Sequence, residues 1–377
     1  MVPDIWFWQG MVTPHMMGLA VALSNLRVNV TYVAAEVMSA DRVQQGWLEP
    51  YAADVIVHIA QSQHAVHQLV NGAPKDSIHI CGGVRVNGLV GVAQKRLANL
   101  GFTQWLAMET VMDVGWIGIL KRLEYRRLFR GYRRAIRGVL AIGHKTPQWV
   151  IRRGVTEEKV FPFAYFLEEI EQQAAILKQT GPFKFIFVGQ FIPRKRLNRL
   201  ITALGLLTDQ NFELVVIGSG PLEDVLRVQA QSVLGDRVNW IGKLPSSQVS
   251  AYMAAADCLI LPSSHDGWGA VISEALMCGT PVICSDTCGA AGVVHNSGVG
   301  SVFKANDTGE LQASLETALR AGTVSTEQRA ATAVWGKTLG AKSGAQYLLD
   351  ILTGELKVNK KPMPPWVNDH RTIGAVS

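Results

Sequence analysis

The chain has 377 residues, 48% of them hydrophobic and 18% charged, with a net charge of +6. That composition supplies buried cores and excludes a largely disordered chain, and 36 glycines without a Gly-X-Y period exclude collagen. At about 100–200 residues per domain, the length predicts two domains and leaves room for three.

Ile5 to Leu26 is 22 residues without a formal charge, long enough to cross a bilayer. Gln9, Thr13, Pro14, His15, Ser24 and Asn25 interrupt it, and no basic region precedes it. It reads as a buried strand, Ile5–Gln9, and a buried helix, Pro14–Leu26, not as a signal or a span. Short apolar runs at Val28–Ala34, Val55–Ile59, Ile78–Ile80, Gln104–Ala107 and Gly138–Ile142 read as further strands buried on both faces. The pattern restarts after Gly181. Strands are expected at Phe183–Val188, Phe212–Ile217, Val238–Ile241, Cys258–Leu261 and Val282–Cys284. Helices are expected at Leu197–Leu207, Leu222–Leu234, Ser247–Ala256, Gly269–Cys278 and Ala341–Thr353. This rhythm, run twice, implies two doubly wound α/β domains. The boundary falls near residues 165–182, where a polar helical stretch, Glu168–Gln179, meets Gly181-Pro182. The expected domains are therefore 1–165 and 166–339, with 340–377 packing back on the first and its last part, Glu355–Ser377, loose.

Cys81, Cys258, Cys278, Cys284 and Cys288 form no CxxC pair and no Cys/His metal spacing. They read as reduced thiols in a cytosol-like compartment. His58, His64 and His67 lack an accompanying acid or cysteine set, so no metal is read there. Charge is uneven. Lys121–Arg137 carries eight basic residues and one acid, Glu124, so the rest of the chain is close to neutral. As a helix it places Leu120, Leu123, Leu128 and Tyr132 near one face. It then either packs on its domain with a solvated basic face or lies on an anionic membrane. With no recognised nucleic-acid module, nucleic acid is not an expected partner.

Ligands of parallel sheets bind at the carboxyl ends of strands, which points to a cleft between the domains. Arg194, Lys195 and Arg196 follow a strand end and precede a helix, a setting that suits phosphate. Asp266 and Glu274 lie eight residues apart in His265-Asp-Gly-Trp-Gly-Ala-Val-Ile-Ser-Glu-Ala275. A carboxylate there can accept two hydrogen bonds from a ribose diol, although Asp266 alone also reads as a helix N-cap. Val216-Ile-Gly-Ser-Gly-Pro221 is a tight turn and not a dinucleotide fingerprint, because Glu223 stands at the third glycine position. The tryptophans read as core, with Trp268 the exception because it lies inside the site loop.

Across residues 183–292 these segments resemble the retaining GT-B glycosyltransferases of the family 4 type. The segments are VGQFIPRKRLNRLITAL, ELVVIGSGPLEDVL, VNWIGKLP and PSSHDGWGAVISEALMCGTPVICSD. The resemblance implies two Rossmann-like domains facing across a cleft. It implies a metal-independent hexosyl transfer without cofactor, from a nucleotide-diphosphate sugar to a glycan or lipid-linked glycan hydroxyl. UDP is the first expectation for the nucleotide and GDP the next. Lys195 matches the residue that binds the donor diphosphate, Glu274 the ribose-holding glutamate, and Asp266 the glutamate near the donor sugar. Gly267, Trp268 and Gly269 match the loop whose backbone meets sugar and phosphate. The chain departs from the pattern at Asp266, one methylene short, at Gln190 in place of an arginine, and at Arg196 in place of a glycine. Arg194 or Arg196 is expected to offset Gln190. His15, at the start of the first helix, and Glu109, after the Gln104–Ala107 strand, are expected near sugar or acceptor. The implied location is the cytoplasm, at a membrane face. A sugar-nucleotide epimerase or hydrolase, and a non-catalytic nucleotide-sugar or anionic-polymer binder, are the alternatives.

Overall fold

The computed structural model describes residues 3–38, 54–85, 88–169, 181–207, 211–354 and 361–367. The chain divides into two compact units. The first holds the described residues up to Glu168 together with residues 341–354 and 361–364. The second holds Glu169 to Gly340 and residues 365–367.

The first unit is built on seven parallel strands: β1 (Ile5–Met11), β2 (Val30–Glu36), β3 (Ile56–Ile59), β4 (Ile78–Gly82), β5 (Gln104–Glu109), β6 (Ile136–Ile142) and β7 (Val160–Phe163). Their order in the sheet is β3-β2-β1-β4-β5-β6-β7. Helices α1 (Pro14–Asn25), α2 (Gln63–Gly72), α3 (Gly88–Asn99), α4 (Gly115–Gly131) and α5 (Thr146–Ile151) connect them. Helix α1 starts where the sequence stops it from starting earlier. Pro14 lacks a donor, and the Thr13 hydroxyl accepts from the Met16 N–H at 3.4 Å. Trp8, Leu106, Val139 and Phe129 are among the side chains filling one face of the sheet. Burying each large apolar side chain stabilises by about 1.5–3 kcal/mol.

The second unit has six parallel strands: β8 (Phe183–Val188), β9 (Phe212–Ile217), β10 (Val238–Gly242), β11 (Cys258–Leu261), β12 (Val282–Ser285) and β13 (Gly300–Phe303). Their order is β10-β9-β8-β11-β12-β13. Its helices are α6 (Leu197–Gly205), α7 (Glu223–Leu234), α8 (Ser246–Ala255), α9 (Ala270–Met277), α10 (Ala291–Ser297), α11 (Thr308–Ala321) and α12 (Thr326–Gly336). Helix α13 (Ala341–Gly354) returns to the first unit and packs on α1, where the Tyr347 hydroxyl donates to the Pro162 carbonyl at 2.9 Å.

The chain is thus α/β with two doubly wound parallel sheets. Three expectations are modified. The basic segment is helical only to Gly131, and Ile136 already opens β6. Strands β7 and β13 add an edge to each sheet. Most of the expected Glu168–Gln179 helix, and most of the tail after Gly354, lie outside the described residues. No described helix is long and apolar enough to cross a membrane, and Ile5–Leu26 forms β1 and α1.

Candidate active site

Strand order reverses between β8 and β11 in the second sheet, where β11 pairs with β8 and β8 pairs on its other side with β9. The crevice beyond such a reversal is where open parallel sheets bind ligands. The loops after these two strands carry Lys195 and Asp266. Lys195 Nζ donates to Asp266 Oδ2 at 2.6 Å, and both side chains are nearly nine-tenths buried. The same oxygen lies 3.4 Å from Arg194 Nη1 and accepts from the Ser263 hydroxyl at 3.3 Å.

The two loops are locked together by backbone. The Arg194 carbonyl accepts from Ser264 N at 2.8 Å, and Arg194 Nη1 donates to the His265 carbonyl at 2.9 Å. A third segment holds the Asp266 loop. Asp266 N donates to Thr287 O at 3.1 Å, and Gly289 N donates to Asp266 O at 2.9 Å. The Gly218–Gly220 turn supports the Lys195 loop from below. Phe191 N donates to Ser219 O at 2.9 Å, and a Cβ on Gly218 would sit 1.9 Å from the Gly189 carbonyl oxygen. The turn read from sequence as a bland strand-to-helix connection is therefore a brace for the cationic loop.

Helix α9 begins at Gly269, whose φ of 89° is in the left-handed region and whose position carries no capping side chain. Asp266 is therefore not the N-cap expected from sequence, because its carboxylate turns to Lys195 instead. Glu274 lies one turn into α9. Withdrawal from water pushes its carboxyl from 4.5 up to about 7, against the opposing pull of Lys195. Lys195 thus acts on both carboxylates: it bonds one and electrostatically favours ionisation of the other.

The remaining expected donor residues divide. Arg194 joins the cluster. Arg196 does not: its guanidinium bonds the Ala305 carbonyl, and its Nη2 reaches Asn306 Oδ1 at 3.0 Å. Its backbone is left-handed, φ 54°, which is the physical reason a glycine suits this position. Gln190 is half-buried in the loop after β8. Gly267 contributes backbone close to Gly289, whose added Cβ would meet the Gly267 carbonyl oxygen at 1.9 Å. Trp268 corrects an expectation. It is core: its ring is 3% exposed, and its Nε1 donates to the Ser273 hydroxyl at 3.0 Å. Sequence reasoning missed Ser263. Its signal was the Pro-Ser-Ser run directly after β11.

His15 and Glu109 belong to the first unit, and both meet Tyr165. The His15 ring stacks on Tyr165 with centroids 5.5 Å apart. Burial and the carboxylate of Glu109, to which the phenol is hydrogen-bonded, push Tyr165 well above its ordinary value. Tyr165 was not singled out from sequence, where it sits in an aromatic run that reads as core. Among the described residues no group of three His, Cys, Asp or Glu side chains is placed to hold a metal ion.

The family described as "Glycosyl transferases group 1" matches residues 168–333. The putative teichuronic acid biosynthesis glycosyltransferase TuaC of Bacillus subtilis (strain 168) is 30% identical over 172 residues, 43% of this chain and 42% of that protein. The O-antigen chain mannosyltransferase B of Escherichia coli is 32% identical over 134 residues, 34% of each chain. These matches span less than half of the length of either relative. Whole-chain likeness is structural. Anabaena HepE in complex with UDP superposes with a TM-score of 0.72 at 16% identity, covering 93% of this chain and all of that one. The apo form of the lipopolysaccharide outer core galactosyltransferase WaaB gives 0.71 at 15% identity, covering 94% and 100%. At such identities the likeness establishes fold. Residues 168–333 thus match the glycosyl transferases group 1 family, and the chain has a GT-B fold.

Proposed function

We propose that the chain is a retaining family 4 glycosyltransferase that moves a sugar from a UDP-sugar to a hydroxyl of a glycan or lipid-linked glycan. The observation that carries this reading is the position of Lys195. It stands at the strand-order reversal, bonded to Asp266 at 2.6 Å and acting on Glu274. Arg194 adds a second cation to the same oxygen of Asp266. A diphosphate leaving group develops negative charge as its bond to the sugar breaks. Lys195, Arg194 and the uncapped start of α9 offset that charge without a metal or other cofactor. Ionised Glu274 accepts from the ribose hydroxyls, and the backbone of Gly267, Trp268 and Gly269 lines the sugar and phosphate. The acceptor oxygen bonds to the anomeric carbon on the face from which the phosphate oxygen departs. Its proton passes to that leaving oxygen, so no protein base is required. His15 and Glu109, gathered by Tyr165, orient acceptor or sugar hydroxyls. The UDP held by HepE and the surface-glycan names of TuaC, WaaB and the O-antigen enzyme support the donor and acceptor classes.

The test is product analysis from UDP-, GDP- and ADP-sugars with and without a lipid-linked glycan acceptor. Anomeric configuration is read by NMR. A new glycoside with the donor's configuration supports the reading. Free sugar or an epimer at equal rates with and without acceptor would replace it with the epimerase or hydrolase alternative.

We infer further that the enzyme works at the cytoplasmic face of a membrane, attached through α4. The helix buries Gly118, Tyr125 and Phe129. Its first half exposes Trp116 (73%), Ile117, Ile119, Leu120 and Leu123, with Val114 (75%) just before it. Water around such a surface is unfavourable, and a bilayer interface relieves it. Lys121, Arg127 and Arg130 on the same helix select an anionic surface, each contributing about 1 kcal/mol.

A further inference from the structure

The first unit holds an open cavity of about 700 Å³ lined by its own residues, whereas Lys195, Asp266 and Glu274 belong to the second unit. Five of its lining side chains are cations, Arg122, Arg126, Lys145, Arg152 and Arg153, against one carboxylate, Asp113. It sits at the carboxyl ends of two neighbouring strands. Thr110 follows β5 directly, and His144 follows β6 by two residues. Helix α4 supplies Arg122 and Arg126 to its wall.

The cavity is built, not merely basic. Arg153 is 5% exposed. Its guanidinium lies 3.7 Å above the Trp149 ring, donates to the Trp149 carbonyl at 2.5 Å, and pairs with Asp113. Asp113 is itself fixed, because its carbonyl accepts from Arg122 Nη1 at 2.6 Å. That carbonyl also packs on Gly118, where any Cβ would lie 1.8 Å away. Two N–H donors of this pair, Arg153 Nε and Trp149 Nε1, are buried without a hydrogen-bond partner. A buried donor left unpaired costs about 1–3 kcal/mol, and both of these belong to residues that line the cavity. Asp113 balances one cation only. Burial weakens the hold of Arg153 on its proton against the opposing pull of Asp113, and the neighbouring charges of Arg122 and Arg126 add a smaller push in the same direction as burial.

We propose that this cavity binds a phosphoryl group carried by the acceptor, which makes the acceptor a phosphorylated or phosphate-linked glycan. The proposal rests on the glycosyltransferase reading and deepens it. Arginine forks match phosphate oxygens bidentately, and a dianion offsets more of the surplus charge than a carboxylate does. A cavity of this size holds a phosphate and an attached sugar. Glu109 immediately precedes the lining residue Thr110, so an anchored phosphate brings its glycan toward the Glu109–Tyr165 pair.

The test uses the full chain with UDP at saturating concentration, so that the donor site is filled. Glucose 1-phosphate is titrated calorimetrically, and glucose serves as the uncharged control. In a second arm, vesicles carrying a polyprenyl diphosphate-linked sugar are compared with vesicles carrying the same sugar on an uncharged lipid. The expected result is binding of the phosphorylated probe in at least one arm. It should weaken tenfold or more in Arg126→Gln/Arg152→Gln, with UDP affinity changed less than twofold. Arg126 and Arg152 are exposed, so the variant keeps its fold. The soluble arm identifies a free sugar phosphate as the source, and binding confined to vesicles identifies a lipid phosphate. Equal binding of phosphorylated and uncharged probes, no binding in either arm, or an unaffected double variant would overturn the proposal. Failure of UDP itself to bind would instead count against the donor reading, because UDP is measured separately.

Discussion

Replacing Glu274 by Gln is expected to stabilise the ligand-free protein and to weaken its hold on the donor. A carboxyl that titrates near 7 when folded, against 4.5 ordinarily, binds its proton more tightly in the folded chain. Between these values the folded state holds more protons than the unfolded one, so stability falls as pH rises. The penalty is absent below about pH 4.5 and complete above about pH 7. Its ceiling is about 3 kcal/mol, from about 1.4 kcal/mol per pH unit of displacement. Gln carries no charge and escapes it. For a unit of this size the difference is about 6–12 °C in Tm. The assay is thermal unfolding of wild type and Glu274→Gln from pH 5 to pH 8.5. The gap should be small at pH 5 and widen toward pH 8. A gap independent of pH, or a Gln variant no more stable than wild type at pH 8, would refute the reasoning. Donor binding should move the opposite way. Glu274 accepts both ribose hydroxyls only when ionised, so wild-type affinity should rise with pH through about 7, and that rise should vanish in the variant.

Lys195→Ala should cost about 2–4 kcal/mol in transition-state stabilisation, seen as a drop in kcat/KM. It also leaves Asp266 poorly partnered, so Tm should fall too. Adding Asp266→Asn should restore Tm but not activity, and recovery of activity in the double variant would contradict the role given to Lys195. Asp266→Glu should retain more activity than Asp266→Ala, because it keeps a carboxylate for Lys195. Equal kcat/KM values would show the carboxylate to be dispensable. Arg196→Gly should be more stable than Arg196→Ala by about 1 kcal/mol, since both lose the contacts to Ala305 and Asn306 but only glycine relieves the positive φ. Denaturant unfolding compares the two directly. Wild type should float with anionic vesicles at low salt, whereas Trp116→Gln/Leu120→Gln/Leu123→Gln should not. Equal flotation would rule out attachment through this face.

Strands β8, β9 and β11 were legible because each is an apolar run buried on both faces, broken only by Lys184 in β8 and Glu213 in β9. Strand β7 was not, because Pro162 lies within it. A proline is tolerated there since β7 is the last strand of its sheet and has one free edge. The site was legible as strand-end positions. The contacts were not, because they join residues far apart in sequence: 71 positions between Lys195 and Asp266, and 109 between Arg196 and Ala305. Arg196 reads as one of three equivalent cations until the Ala305–Asn306 loop claims it. Trp268 reads as a ligand contact until Ser273, one helical turn on, takes its N–H. The cationic cavity was hidden for the same reason. Lys121–Arg137 announces charge, but only the fold brings Arg122 and Arg126 to Arg152 and Arg153.

The central claim is that Lys195 and Glu274 form a nucleoside diphosphate site. Calorimetric titration of UDP, GDP and ADP into wild type, Lys195→Ala and Glu274→Gln at pH 8 tests it most directly. The account predicts that wild type binds UDP in preference to the others. Each substitution should weaken that binding by about tenfold or more, equivalent to about 1.5–3 kcal/mol for hydrogen bonds to a charged group. No binding of any nucleotide to wild type, or wild-type affinity in both folded variants, would contradict it.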